Sequence, residues 1–233
     1  MKLFSYDSKF SQIMLKLCYG CYLNLLWMVC SLPVFTAGAA TAALYDVTLR
    51  LAREEEPPLT ARFFKAFREN FRQATILWLI LLGIGVLLGA DGYILYHLYK
   101  GTTGMVSVIC TLGLALIIVA AIAYVIVLLY VFPLVASVKN TNWAMLKNAL
   151  LIGIHYLFCT ILVFAIHFAM FFAVVAVFTP LIVFGEGLCA LLSSCLLGKV
   201  IRACSYDPAE EGKGQARSSL RKNAASVGKC SGS

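Results

Sequence analysis

Four polar residues stand in stretches that otherwise hold almost nothing but apolar side chains: Asn24, Asp91, His167 and Glu186. Placing an ionisable group in hydrocarbon costs about 3 kcal/mol on insertion scales, so each is a candidate for proton relay, cation binding or a solute path. Glu186 falls roughly two turns into the last apolar stretch and His167 in the outer half of the one before it, which makes them candidate partners. With Asn24, in the outer part of the first stretch, and Asp91, they would line an outward-facing polar vestibule. Asp91 also suits a simpler role, since Tyr93, Tyr96 and His97 beside it form the aromatic belt of an interfacial anchor. His155 reads as structural, because a membrane histidine commonly serves as hydrogen-bond glue between helices.

Cys18 and Cys21 form a CxxC, a spacing that can bind metal or run thiol chemistry. The chain offers no second pair and no nearby ligand histidine, and Cys30, Cys110, Cys159, Cys189 and Cys195 lie within apolar segments where a thiol behaves as a small hydrophobe. There is no GxxxxGK[ST] phosphate loop, no HExxH and no GxSxG. The reading is a non-enzymatic protein without metal or cofactor.

The elements that would position these residues are membrane helices. Gly101 to Val138 and Asn148 to Gly185 each run 38 residues without one Asp, Glu, Lys or Arg. A bilayer core about 30 Å thick is crossed by about 20 helical residues, and backbone groups in lipid must be satisfied within their own segment. The fold class is therefore an all-α polytopic membrane bundle. Five transmembrane helices are expected, over about 17–44, 73–97, 105–134, 148–177 and 180–201. Residues 1–16 would form an interfacial segment ahead of the membrane domain, 17–202, and 203–233 a disordered cytoplasmic tail poor in apolar periodicity. The first stretch, Leu17 to Tyr45, imitates a signal peptide but exceeds the usual apolar length, so it is kept as a span, kinked where Asn24 and Pro33 fall. Pro133 is expected to end or kink the third span, and Pro180 to open the fifth.

The net charge of +8 excludes no partner by itself, but the basic residues lie between or after the apolar runs rather than on one soluble face, which points away from nucleic acid. With five spans, the odd connections and the tail hold 15 Lys and Arg against 4 on the other side. The positive-inside rule then puts the N-terminus outside and the C-terminus in the cytoplasm. Within the basic cytoplasmic connection, 60–72, Phe63, Phe64, Phe67 and Phe71 fall on one side of a helix, and Arg62, Lys65, Arg68 and Arg72 on the other. That pattern suits a membrane surface or a docking partner. Gly85 and Gly89 make a GxxxG, and Gly38 and Ala42 belong to a small-residue face. Both pairs suit close helix packing, within the chain or in a homo-oligomer.

Several of these blocks carry a resemblance. Tyr22-Leu23-Asn24-Leu25-Leu26-Trp27, Ser31-Leu32-Pro33, Thr36-Ala37-Gly38-Ala39-Ala40 and Phe64-Lys65-Ala66-Phe67-Arg68-Glu69-Asn70-Phe71 are similar to the YesL-like family, known as domain of unknown function 624. Weaker similarity continues through Phe132-Pro133 and Leu146-Lys147-Asn148. The resemblance implies a multi-pass protein of the bacterial cytoplasmic membrane, in a family often encoded beside carbohydrate-uptake genes. From this follows an expected accessory or regulatory role in carbohydrate uptake, with the lipid bilayer and sugar ABC transporter subunits as partners. It supplies no catalytic or binding residues. The alternative is a small transporter or channel using the outward-facing polar cluster.

Overall fold

The computed structural model describes residues 9–55, 58–101, 103–177 and 185–204, and these are almost wholly helical. In chain order they form α1 (Lys9–Ser31), a 3-10 turn (Val34–Thr36), α2 (Ala37–Leu51), α3 (Leu59–Gly101), α4 (Met105–Ser137), α5 (Asn142–His155), α6 (Leu157–Phe172) with a π-helical end at Ala173–Val177, and α7 (Gly185–Cys204). The tail, the segment containing Pro180 and the first eight residues lie outside the described residues, and 9–16 already belong to α1.

The stretch expected as one span over 17–44 is two helices folded back on each other. Pro33 has no N–H to donate and disfavours the helical region for Leu32, so α1 stops at Ser31. Thr36 then holds the corner, its Oγ1 lying 2.7 Å from the carbonyl oxygens of both Cys30 and Pro33. Trp27 Nε1 donates to Thr41 Oγ1 at 3.0 Å, and Tyr22 reaches Thr60, in the first turn of the helix that follows α2, at 2.8 Å. The two helices are thus antiparallel. A kink in one span was foreseen at Pro33; a reversal was not.

α2 is the hub. It packs against α1, α3, α4 and α7, and all its residues except Ala37, Thr41 and Arg50 are buried. Its run of Gly and Ala makes the helix slim enough for four neighbours. At Gly38 an added Cβ would lie 2.5 Å from Trp78 Cβ and 2.7 Å from the Ala74 carbonyl oxygen, so only glycine allows this approach of α2 to α3. Gly38 meeting Ala74 and Trp78 while Asp46 meets Arg62 makes α2 antiparallel to α3 as well. α7 runs parallel to α2: Thr48 bonds Ser194 at 2.8 Å, and Gly198 faces Leu49.

α3 holds 43 residues, about 65 Å at 1.5 Å per residue, well over the hydrocarbon thickness. The basic connection 60–72 and the span after it are one uninterrupted helix, because neither Gly nor Pro occurs between Leu59 and Leu82. Gly104, at φ 76°, allows the tight turn into α4. α4 returns along α3, with Gly92 against Ile117 and Trp78 against Phe132. Pro133 does not end α4, which continues to Ser137. Gln73 Nε2 donates to the Asn140 carbonyl at 2.6 Å, closing the α4–α5 corner against α3. The stretch expected over 148–177 starts earlier, at Asn142, and bends at Tyr156 (φ −106°, ψ 50°), where Thr160 Oγ1 donates to the Gly153 carbonyl at 2.7 Å and pairs with the buried Tyr130 hydroxyl at 2.9 Å.

Among the described residues, four helices are long and apolar enough to cross a membrane: α1 from Met14, α3, α4, and α6 to Ala176, with a shorter apolar stretch, Gly185–Gly198, in α7. The start of α1, the α2–α3 connection, the α4–α5 corner and the end of α7 all lie at one end of the molecule. At the other end, among the described residues, α3 and α4 continue as a two-helix arm with apolar residues exposed along both helices.

Candidate functional site

Polar side chains gather in two places. The first joins α2 to α3. Arg62 donates from Nε to Asp46 Oδ2 at 2.6 Å and from its terminal nitrogen to Oδ1 at 2.7 Å, the two-pronged geometry that suits guanidinium and carboxylate. Arg50, one turn after Asp46, lies 3.4 Å from Oδ2 and bonds Glu55 at 3.1 Å. Asp46 is only 6% exposed and Arg62 21%, so the pair is a partly desolvated bolt at the base of the hairpin. Beside it, Phe63 and Ala66 are fully buried.

The second gathers α1, α6 and α7. Asn24, fully buried, accepts a hydrogen bond at Oδ1 from the Gly187 N–H at 2.9 Å. That N–H belongs to the first described turn of α7, so Asn24 caps one helix from another. Gly187 is required for the contact: a Cβ there would collide with the Gly20 carbonyl and lie 2.8 Å from Asn24 Cβ. Next to it Glu186 Oε1 stands 4.0 Å from His167 Nε2. His167 Nδ1 is 2.9 Å from the Val163 carbonyl oxygen, which fixes the hydrogen on Nδ1 and turns an acceptor toward Glu186.

Of the residues picked for a vestibule, three converge and one does not. Asn24, Glu186 and His167 share a corner of the bundle. Asp91 is exposed on the α3–α4 arm, thirteen residues and about 20 Å of helix beyond Trp78, beside Tyr93, Tyr96 and His97. The basic face of α3 also divides. Arg62 is committed to Asp46 and Phe63 to the core, whereas Lys65, Arg68 and Arg72 are exposed, and Lys65 and Arg68 line a groove with Phe64, Phe67, Glu69 and Phe71. Asp46 was missed; its signal was an acid amid Ala, Leu and Val, four residues before Arg50. The glycine pair separates too, Gly85 facing the Tyr124 hydroxyl of α4 while Gly89 faces nothing within 4 Å. Cys18 is exposed and Cys21 partly buried on α1, and no cluster of metal-binding side chains occurs among the described residues.

Long apolar helices, a slim central helix and polar side chains spent on joining helices define a helical protein of the multi-pass membrane class. Residues 21–92 match the family described as protein of unknown function, DUF624, a segment that contains the hairpin, Asp46, Arg62 and most of α3. The uncharacterized protein YteU of Bacillus subtilis (strain 168) is 28% identical over 155 residues, 65% of this chain and 66% of the relative. The uncharacterized protein YesL of the same strain is 32% identical over 116 residues, 48% of this chain and 51% of the relative. Over these stretches the chain is similar to the DUF624 family and to its relatives YesL and YteU. It spans just under two thirds and about half the length of these two relatives. No solved structure matches it.

Proposed function

We propose that the protein is a non-enzymatic accessory partner in carbohydrate uptake, held in the bacterial cytoplasmic membrane and recruited through the α3–α4 arm to a membrane subunit of a sugar transporter. The observation that carries the docking is the exposed side of α3 at Gly89, where an added Cβ would meet nothing within 4 Å, next to the exposed Val86 one turn before it. Small residues let a second helix approach closely in lipid, where packing rather than water exclusion drives association. The link to carbohydrate uptake rests on the family resemblance. Mild-detergent purification of the tagged protein should retain a transporter subunit, and Gly89→Leu should lose it while keeping its own helical content. Retention by Gly89→Leu would refute this docking face.

The same proposal takes a topology with both chain ends in the cytoplasm, in place of five spans with the N-terminus outside. Because α1 and α2 form a hairpin, α1 starts at the end where α3 starts and α7 finishes. Among the described residues, every Lys and Arg except Lys100 then falls at that end of the chain's path, an asymmetry that the positive-inside rule reads as a cytoplasmic face.

One observation favours a transporter as the second reading: His167 Nε2 and Glu186 Oε1, two ionisable groups on neighbouring apolar helices, face each other at 4.0 Å. Glu186→Gln would abolish flux in a transporter and leave an accessory protein bound to its partner.

A further inference from the structure

The α4–α5 corner bears cations and an aromatic ring that the chain order separates from the basic stripe of α3 by more than sixty residues, yet Gln73 ties this corner to α3 at the Asn140 carbonyl. Lys139 and Lys147 are exposed there, and Trp143 is 75% exposed at the start of α5. On α3, Lys65, Arg68 and Arg72 follow one another at three- and four-residue intervals along one stripe, and none of them makes an ion pair among the described residues. After Arg72 the helix carries no charge until Asp91, so these cations end where the hydrocarbon-length apolar stretch begins.

We infer that Lys65, Arg68, Arg72 and Lys139, flanked by Phe71 and Trp143, form one rim that binds the phosphate headgroups of anionic phospholipids. Charge complementarity commits the surface to an anion: between Lys65 and Arg72 on α3, and between Lys139 and Lys147 at the corner, the only acidic residue is Glu69. The aromatic flanks commit it to lipid rather than to an acidic protein, because Phe71 and Trp143 border the apolar helix surface and present a ring to acyl chains beside a cation to phosphate. The rim is also rigid. Arg62 bolted to Asp46, with Phe63 and Ala66 buried, fixes the first turns of α3 against α2, and the Gln73 bond fixes the corner. The arginines can therefore meet phosphate without first being ordered.

The test is lipid selectivity of the full chain reconstituted in phosphatidylcholine, read as the association constant of spin-labelled phosphatidylglycerol relative to spin-labelled phosphatidylcholine. The native protein should prefer the anionic lipid several-fold, and the preference should fall with added salt. Each neutralised cation weakens the attraction by up to about fivefold, so Lys65→Gln, Arg68→Gln, Arg72→Gln and Lys139→Gln together should bring the ratio to about one. Lys100→Gln, at the opposite end, should leave it unchanged. These side chains are exposed, so the variants keep the fold, and unaltered helical circular dichroism checks that they do. A ratio of one in the native protein overturns the inference. So does a preference that survives the quadruple substitution, or a rim that captures an acidic cytoplasmic protein while showing no lipid preference.

Discussion

Replacing Arg62 by Gln should destabilise the protein far more than replacing Lys65, its neighbour in the same basic run. Two charge-assisted hydrogen bonds, at 2.6 and 2.7 Å, end on a carboxylate that is 6% exposed. Breaking a fully buried pair costs about 3–5 kcal/mol, because one charge is left without its partner. Two features lower that figure here. Arg62 is partly exposed, and Arg50, 3.4 Å from Oδ2, remains to compensate Asp46. The expected loss is about 2–3 kcal/mol for Arg62→Gln and about 1–2 kcal/mol for Asp46→Asn, whose amide oxygen still accepts one bond. Lys65→Gln, on an exposed side chain without an ion pair, should stay within about 0.5 kcal/mol. The assay is a double-mutant cycle on SDS-induced unfolding in mixed micelles, followed by helical circular dichroism. The double variant should lose less than the sum of the single ones by about 1–2 kcal/mol, the coupling expected of side chains in direct contact. Equal unfolding midpoints for Arg62→Gln and Lys65→Gln would refute the bolt.

Glycine-to-alanine substitutions should sort by what the new methyl meets. Gly38→Ala and Gly187→Ala, which press on backbone oxygens of Ala74 and Gly20, should each cost about 1–3 kcal/mol in the same unfolding assay, whereas Gly89→Ala should be neutral or stabilising by up to about 1 kcal/mol. Asn24→Leu leaves the Gly187 N–H without the carbonyl oxygen that caps it, and should lower stability by about 1–3 kcal/mol and speed exchange of the first amides of α7 as followed by mass spectrometry. Tyr130→Phe removes one hydroxyl from a buried pair whose Thr160 keeps its bond to Gly153, so the loss should be about 1 kcal/mol. Single-cysteine labelling with a membrane-impermeant reagent in intact cells should modify a position beside Gly104 and spare positions beside Met1 and at the tail; labelling at Met1 would reinstate an external N-terminus.

The fold class was legible because charge-free runs of this length admit only membrane helices, and that inference needs no knowledge of how the helices meet. The path of the chain was not legible to the same degree. Hydropathy measures how long a stretch stays apolar, and Leu17 to Tyr45 stays apolar through a complete reversal at Pro33. The reversal has one local sign, a proline followed by a Gly/Ala-rich segment too slim to face lipid alone, and that sign reads equally well as a kinked span. The consequence reaches beyond one helix, because counting loops alternately inside and outside makes every later side depend on the number of crossings before it. Reading one hairpin as one crossing changes the side to which that count assigns the N-terminus.

The basic face of α3 poses the same difficulty at the scale of single side chains. Arg62, Lys65, Arg68 and Arg72 are equivalent in local pattern, yet Arg62 spends its charge on Asp46, sixteen residues earlier on another helix, and the rest keep theirs. Similarly, Asn24 and Glu186 looked alike as polar residues in apolar runs. Asn24 proves to be a cap for α7, fully enclosed, while Glu186 retains 30% of its surface and faces His167 across a gap. Spacing along one helix reports which residues share a face; what a charge does on that face depends on the helix opposite, and here that helix is α2, whose position follows from the turn at Pro33 and the missing side chain of Gly38. The same turn sets the Asp46–Arg62 bolt and carries the start of α1 to the basic end, so the rim, the clamp and the orientation stand or fall on one hairpin.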